Sequence, residues 1–448
     1  MKQRARESVA ACARRVVECG QSPGLVVGLT DRRRTLAVIA EGVADTSSGR
    51  ALDSGAVLQI GSISKSFAAL CLMQEMEAGR VALDDPVTRY LPWFAFGDAD
   101  AITLEHLLLH TAGLPCGSEP APPSVAQIAL LAGERPVWAP GDRHWYSNSG
   151  YATLGLVLES LTGMTAAETV RRRVLDPLGM QHTVAVIGYG DRLRMPAGHE
   201  PLRPDRHWRP GDPVAPAPWT VSESADGSIC ADAEDMLRYA RLLLGGGAGI
   251  VRPESFRRMT ETLVPDGEGG EYGYALERRM VDGRPAIGHS GGMVGFHADL
   301  VVDPEAGVGV IAMVNGPAGA VDAARHALLV LRADAEGAPV PDPPELPGSQ
   351  DEGPILDAQP AAELLPYAGR FRCHSPWSPE LAIGVRGGRL WASGGYGEHP
   401  MEQESEQEWR LRDGRGPLPE LLRFDLPVDG RFQRITWTGA VFGRAMEG

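Results

Sequence analysis

The stretch IGSISKSF places Ser62 three positions before Lys65. Lys65 and Lys2 are the two lysines of the chain, and arginine supplies the rest of its 43 basic residues. A desolvated lysine can lose its proton whereas arginine stays charged, so a site that needs a neutral amine keeps lysine. Residues three apart on a helix lie on one face, so these side chains can touch. The pair suggests a serine nucleophile with an amine base, and Ser62 alone also suits a helix cap.

A second polar cluster is WYSNSGY at residues 145–151, which precedes the apolar run ATLGLVLESL. Tyr146 can pass protons to or from a serine, and Asn148 can hydrogen-bond a substrate carbonyl or a lysine. By itself, Tyr-x-Asn is more typical of a turn.

A third cluster is IGHSGGM at residues 287–293, at the start of a predicted hairpin. The adjacent glycines Gly291 and Gly292 permit a substrate to approach the strand backbone closely. By itself, a lone histidine such as His289 is more often structural than catalytic.

In this order, the three clusters resemble the serine β-lactamase and penicillin-binding protein superfamily, with its Ser-x-x-Lys, Tyr-x-Asn and strand triad of Lys or His, Ser or Thr, and Gly. Three longer segments of this chain also resemble the class C branch of that superfamily: ITLEHLLLHTAGLP, SADGSICADAEDMLRYARLLL and GHSGGMVGFHADLVVDPEAGVGVIAMVN. That branch includes esterases, D-amino-acid peptidases and acyltransferases. The resemblance covers about residues 20–332 and implies an α/β fold of the β-lactamase/transpeptidase type, an antiparallel sheet flanked by helices plus a helical subdomain.

The resemblance also implies roles for individual residues. Ser62 would be the acylated nucleophile, and Lys65 the neutral amine that helps to take its proton. Tyr146 would relay protons, and Asn148 would orient Lys65 or the substrate amide. The substrate and oxyanion wall would consist of His289, Ser290, Gly291 and Gly292. The oxyanion hole would be formed by the N–H groups of Ser62 and Gly292, and whether Lys65 or Tyr146 is the general base stays open.

One departure bears on the substrate. Penicillin-recognising members commonly carry lysine in the strand triad, whereas this chain has His289, which is mostly neutral at pH 7. A neutral imidazole pairs weakly with a substrate carboxylate, which argues against β-lactam hydrolysis and cell-wall carboxypeptidase activity.

The elements that carry the clusters are predicted from periodicity. Residues 24–42 form two β-prone runs around a polar turn, and helical spacing continues over residues 65–76. Further helices are predicted at 103–110 and 150–162, and a strand hairpin at 285–315. The proline-rich residues 196–220 predict a lid or binding loop, or else a surface insertion.

The chain divides into three predicted parts. Residues 1–332 are the hydrolase domain, and the proline-rich, acidic residues 333–365 are a linker. Residues 366–448 alternate apolar and polar positions, which predicts a small all-β, barrel-like domain. This last part loosely resembles a lipocalin-like domain, and its role stays open.

Composition limits the partners. A net charge of −15 over 448 residues argues against nucleic-acid binding. The first 20 residues lack a signal-peptide pattern, no run is long enough to span a bilayer, and six scattered cysteines indicate reduced thiols. We therefore expect a cytoplasmic protein. No motif indicates a metal or cofactor.

Three functions fit these observations. The first is a serine acyl hydrolase that cleaves an ester or peptide-like amide through an acyl-enzyme. The second transfers the acyl group to an amine or alcohol, as in penicillin-binding-protein-type thioesterases that cyclise or release nonribosomal peptides, with a carrier-protein-bound or other thioester substrate. The third is a non-catalytic binding protein on the same fold. The expected ligand is a small-molecule or peptide acyl compound.

Overall fold

The computed structural model describes residues 1–117, 124–202, 208–267, 269–346, 356–357, 360–375, 377, 379–394 and 397–446. The chain forms two compact units, each built from two segments. The first unit comprises Met1–Leu83 and Leu154–Gln350, and the second comprises Asp84–Thr153 and Asp351–Gly448. The domain boundaries predicted from the sequence at residues 332 and 366 stay predictions.

Helices occur in both units. In chain order they are α1 (Gln3–Glu18), α2 (Ser64–Glu77), α3 (Leu104–Leu108), α4 (Ser124–Ala129), α5 (Asn148–Thr162), α6 (Ala166–Val170), α7 (Asp176–Leu178), α8 (Tyr189–Arg192), α9 (Ala233–Leu244), α10 (Pro253–Glu261) and α11 (Ala320–Glu336).

Strands fall into two groups along the chain. Those of the first unit are β1 (Gly24–Asp31), β2 (Thr35–Asp45), β3 (Arg50–Ala51), β4 (Leu58–Gln59), β5 (His199–Pro201), β6 (Val214–Pro216), β7 (Cys230–Ala231), β8 (Val264–Pro265), β9 (Glu271–Tyr272), β10 (Glu277–Val281), β11 (Arg284–Met293), β12 (Phe296–Asp303) and β13 (Val308–Val314). Those of the second are β14 (Gly369–Arg372), β15 (Glu380–Arg386), β16 (Arg389–Gly394), β17 (Gly397–Gln403), β18 (Glu408–Asp413), β19 (Gly416–Val428), β20 (Arg431–Trp437) and β21 (Ala440–Arg444).

The core of the first unit is an antiparallel sheet in the order β3-β2-β1-β13-β12-β11-β10-β9-β8. Alternate residues of a strand face opposite sides, and in β1 both sides are buried. Leu25 and Val27 join the apolar cluster of α1 and α11 on one face. On the other face, Gly28 lies against Leu237 of α9. The sheet is therefore enclosed by helices on both faces.

Helix α2 is buried over most of its length, and Phe67, Leu70, Cys71 and Met73 have no exposed surface. The ring of Phe67 stacks on Tyr239 of α9 with 4.0 Å between the ring centroids. Burial of an aromatic side chain contributes roughly 1.5–3 kcal/mol, so this packing fixes the helix that follows Ser62.

The second unit contains a closed barrel of the eight described strands β14 to β21, each paired with its neighbour in chain order. In β15 the side chains alternate between buried and partly exposed. Phe371, Leu390, Phe424 and Phe442 lie in the barrel core without exposed surface. Alternation in a closed sheet directs every second side chain inward, which explains how a short segment buries a core.

The predicted fold class is confirmed, including the antiparallel sheet with flanking helices and the C-terminal barrel. The predicted N-terminal hairpin corresponds to β1 and β2, the predicted helix at 65–76 to α2, and the hairpin at 285–315 contains β12 and β13. The helices predicted at 103–110 and 150–162 correspond to α3 and α5.

Two predicted irregular segments contain regular structure. Within residues 196–220, β5 pairs with β6, while residues 203–207 lie outside the described residues. Helix α11 extends to Glu336, where Gly337 ends it in the left-handed conformation (φ 69°). The predicted linker therefore begins with the last turn of a helix, and most of residues 347–359 lie outside the described part.

In the part of the chain that the structure describes, no helix has the length and apolar character required to cross a bilayer.

No disulfide joins any two of the six cysteines, all of which lie in the described part of the chain.

Candidate active site

Ser62 and Lys65 are in contact in the first unit. Ser62 lies in a short 3-10 turn, Gly61–Ile63, directly before α2. Lys65 Nζ donates to Ser62 Oγ over 3.0 Å and to the Asp226 carbonyl over 2.9 Å. The Lys65 side chain is fully buried, whereas Ser62 is partly exposed. An amine without access to bulk water is therefore hydrogen-bonded to a hydroxyl that a small molecule can reach.

The neighbouring serines have other partners. Ser64 Oγ accepts from the Ile229 N–H over 3.1 Å. Ser66 Oγ accepts from the Tyr239 hydroxyl over 2.6 Å and donates to the Ile63 carbonyl over 2.7 Å. The hydroxyl groups of Ser64 and Ser66 therefore bond to partners other than Lys65.

Strand β11 approaches the 3-10 turn so closely that side chains do not fit between them. A Cβ atom on Gly291 would lie 1.9 Å from the Ile60 carbonyl oxygen and 3.0 Å from the Ser62 nitrogen. A Cβ atom on Gly61 would lie 2.6 Å from the Gly292 nitrogen. Glycine is therefore required at positions 61 and 291, and its lack of a side chain lets the main chains of Ser62 and Gly292 lie close together.

His289 lies on β11 and is almost fully buried. Its Nδ1 contacts the Ser290 carbonyl, which can only accept, so Nδ1 carries the proton. Nε2 then accepts from the Tyr272 hydroxyl over 3.0 Å. Burial lowers the pKa of His289 below its ordinary value of 6.5, and Glu277, 3.7 Å from Nδ1, opposes this shift. The imidazole is therefore neutral at pH 7.

Ser290 is partly exposed and lies opposite Asp299 of β12 in the sheet register. Asp299 pairs with Arg279, with 2.8 Å between Oδ1 and Nη1. This pair fixes the strands on either side of the His289 to Gly292 segment.

Tyr146 and Asn148 lie in the second unit. The Tyr146 ring packs on His110 with 4.3 Å between the ring centroids, and His110 Nδ1 accepts from the Ser147 N–H over 3.0 Å. The Asn148 N–H donates to the Cys116 carbonyl over 3.0 Å at the start of α5. The segment that carries both residues is thus held by main-chain and imidazole contacts.

The structure therefore gathers the predicted residues in two groups. In the first unit, Ser62 and Lys65 lie beside the β11 segment that carries His289, Ser290, Gly291 and Gly292. In the second unit, Tyr146 lies in the loop before α5, and Asn148 is the first residue of that helix. Sequence reasoning missed Tyr272 and the Asp226 carbonyl. Tyr272 is the first tyrosine of EYGY, and no sequence pattern links it to His289. The Asp226 acceptor is a main-chain carbonyl, which every residue type has, so it could not be found from the sequence.

One group of residues has the composition of a metal site. Ligand atoms of His182, Asp232 and Asp235 lie within 4.8 Å of one another. Asp232 caps α9 by accepting from the Asp235 N–H, and its other oxygen lies 2.7 Å from His182 Nδ1. Asp235 accepts from the His182 N–H and the Thr183 hydroxyl. Helix capping explains this arrangement, so we assign no metal to it.

Several characterised proteins are similar in sequence. Penicillin-binding protein 4 of Amycolatopsis lactamdurans is 29% identical over 62% of this chain and 77% of its own length. Esterase EstB of Burkholderia gladioli is 28% identical over 62% of this chain and 81% of its own length. The D-aminopeptidase of Brucella anthropi is 26% identical over 68% of this chain and 58% of its own length.

Among solved structures, the octameric penicillin-binding protein homologue from Pyrococcus abyssi has a TM-score of 0.63 at 21% identity. The match covers 97% of this chain and 99% of that one. At this identity, the likeness shows a shared fold.

The profile of the Beta-lactamase family matches residues 9–335, which is well over half of the chain. The match spans the Ser62, Tyr146 and His289 clusters and confirms the resemblance found in the sequence. The chain belongs to the Beta-lactamase family, within the serine hydrolase superfamily that also contains the esterase and D-aminopeptidase relatives.

Proposed function

We propose that this protein is a serine acyl hydrolase that cleaves an ester or a peptide-like amide through an acyl-enzyme at Ser62. The observation that carries the proposal is the contact between Lys65 Nζ and Ser62 Oγ, 3.0 Å apart, with the amine fully buried. Burial favours the neutral form of an amine, which can then accept the serine proton.

The proposed reaction has two halves. Ser62 Oγ bonds to the acyl carbonyl carbon while its proton passes to Lys65 or Tyr146, and the carbonyl oxygen becomes an oxyanion. The N–H groups of Ser62 and Gly292 are the proposed oxyanion donors, supported by the close approach of their main chains. The leaving alcohol or amine then departs with the proton. Water attacks the ester, releases the acid and restores Ser62.

Tyr146 is the proposed proton relay, and Asn148 the proposed residue that orients Lys65 or the substrate amide. Both roles rest on the order of the motifs in the sequence and on family membership. The proposal leaves open which of Lys65 and Tyr146 removes the first proton.

The proposed substrate has no carboxylate at the position that faces His289. The buried, neutral imidazole offers no formal charge to such a group, whereas a lysine would. We therefore favour neutral acyl esters and amides over β-lactams, in line with the esterase and D-aminopeptidase among the relatives.

Intact-protein mass spectrometry tests the proposal. The wild type is incubated with p-nitrophenyl esters, a fluorophosphonate and a D-amino-acid thioester. We expect an adduct that Ser62→Ala abolishes and that Ser64→Ala retains. Ser64, two positions after Ser62, is the control because its hydroxyl already accepts a hydrogen bond from the Ile229 N–H. Absence of any adduct, or an adduct that persists in Ser62→Ala, would contradict the proposal.

The same experiment separates hydrolysis from transfer. An amine is added to the acylated enzyme, and the products are identified by mass. Formation of an amide in preference to the free acid would replace the hydrolase proposal with an acyltransferase. Release of the free acid alone supports hydrolysis.

A further inference from the structure

Glu420 is a buried acidic residue of the barrel that the proposed reaction does not use. It lies on β19 with 1% of its surface exposed. Its Oε1 accepts from the Cys116 N–H over 2.8 Å and from the Trp145 indole N–H over 3.1 Å. Both donors belong to the same compact unit as the barrel.

These two donors lie on either side of the segment with the Tyr-x-Asn motif. Trp145 directly precedes Tyr146. The Cys116 carbonyl accepts from the Asn148 N–H over 3.0 Å, so the Cys116 peptide joins Glu420 to the start of α5. One carboxyl oxygen therefore anchors both ends of a four-residue segment.

Other contacts between the barrel and this segment are more exposed. Trp145 packs on the barrel core, and the centroid of its ring lies 6.3 Å from that of His399. Arg143 pairs with Asp413, and Arg423 pairs with Glu134. Both ion pairs are partly exposed, whereas the removal of a fully buried acceptor leaves its donors without partners. Glu420 thus gives this segment a fully buried, hydrogen-bonded contact with the barrel.

A buried carboxyl is costly, so its presence needs a reason. Burial raises the pKa of Glu420, although the bonds from Cys116 and Trp145 oppose this. Its Oε2 is buried without a hydrogen-bond partner among the described residues. Both hydrogen bonds are accepted by Oε1, and the side-chain oxygen of glutamine can accept them in the same way.

We propose that Glu420 is a positioning residue, which fixes the Tyr146 to Asn148 segment by accepting hydrogen bonds from Cys116 and Trp145. The barrel then affects the reaction through the positions of Tyr146 and Asn148. This inference rests on the proposed function of Tyr146 and Asn148.

The test compares Glu420→Gln with Glu420→Leu in the full-length chain. Glutamine keeps the acceptor and should leave kcat within about threefold of the wild type. Leucine removes it and should lower kcat about 10- to 100-fold with a smaller change in KM, because a misplacement of ~1 Å can cost about 100-fold. Trp145→Phe removes one donor and should give an intermediate loss.

A matched control separates positioning from loss of stability. Ile383→Ala removes a buried side chain from β15, four strands from β19 in the closed barrel. It should lower the melting temperature and leave kcat unchanged. Equal losses of kcat in Ile383→Ala and Glu420→Leu would overturn the proposal, as would wild-type kcat in a folded Glu420→Leu or an equal loss in Glu420→Gln. If Glu420→Leu does not fold, a wild-type kcat in Trp145→Phe overturns it.

Hydrogen exchange tests the anchoring by Glu420 independently of whether Ser62 is acylated. The amides of Cys116, Ser147 and Asn148 should exchange faster in Glu420→Leu and at wild-type rates in Glu420→Gln. If the wild type forms no Ser62 adduct, the proposed function fails and the catalytic part of this inference fails with it, while faster exchange still supports the anchoring. Unchanged exchange in Glu420→Leu overturns the anchoring even in an active enzyme.

Discussion

Ser62 and Lys65 are three residues apart and meet across one turn, whereas Glu420 holds the Tyr146 segment from 275 residues beyond Trp145. The first pair is set by local spacing and then packed against a sheet enclosed by helices. The second segment depends on contacts between distant parts of the chain. Residues of one motif set therefore have different structural support, and mutations should affect the two regions differently.

The largest expected effect is in the first region. Lys65→Arg keeps the charge but removes a base that can be neutral, so we expect kcat to fall by at least about 1,000-fold, within the range ascribed to proton transfer. The measurement is ester hydrolysis, with circular dichroism to establish folding. Lys2→Arg changes the other lysine and should behave as the wild type. Wild-type rates in Lys65→Arg would end the neutral-lysine mechanism.

The next effect tests how far the first region depends on close packing. Gly291→Ala places a Cβ atom 1.9 Å from the Ile60 carbonyl oxygen, so the strand and the turn must move apart. We expect the free energy of unfolding to fall by about 1–3 kcal/mol, together with a loss of kcat. Urea denaturation and ester hydrolysis measure the two quantities.

Gly190→Ala is the control, because a Cβ atom there meets nothing within 4 Å. Its free energy of unfolding should change by less than about 0.5 kcal/mol. Full activity and stability in Gly291→Ala would show that the two backbones are less tightly packed than the structure indicates.

The smallest expected effect is on the free energy of unfolding as a function of pH. His289 and Glu420 should change it in opposite directions as the pH rises. The pKa of His289 is lowered in the folded state, so the unfolded state binds more protons and stability falls as the pH drops below about 6.5. The pKa of Glu420 is raised, so stability falls as the pH rises above about 4.5 through the raised value. Each group contributes at most about 1.4 kcal/mol per pH unit.

Urea denaturation between pH 4 and pH 8 tests both signs. His289→Gln should reduce the loss of unfolding free energy below about pH 6.5. Glu420→Gln should reduce the loss of unfolding free energy as the pH rises above about 4.5. Burial also lowers the pKa of His326, so His326→Gln should flatten the acid side as well but leave ester hydrolysis unchanged. An unchanged profile in His289→Gln would mean that the imidazole is not held neutral.

Much of the fold followed from periodicity. The apolar residues Phe67, Leu70, Cys71 and Met73 recur at helical spacing, and this periodicity predicted α2, in which all four are buried. The alternation after residue 366 predicted inward-facing side chains, and a closed barrel satisfies that pattern. The segments rich in proline were harder to predict, since short strands such as β5 and β6 need a partner that periodicity does not reveal.

The three motifs and the one-turn spacing of Ser62 and Lys65 could be predicted from the chain alone, because that spacing depends on local helical geometry. The contact of Tyr272 with His289, the hydrogen bond from Lys65 to the Asp226 carbonyl and the contacts of Glu420 with Cys116 and Trp145 depend on the tertiary fold. These contacts join residues 17 to 304 positions apart. They arise from sheet register and from barrel packing, which depend on the whole core and which a local pattern does not encode.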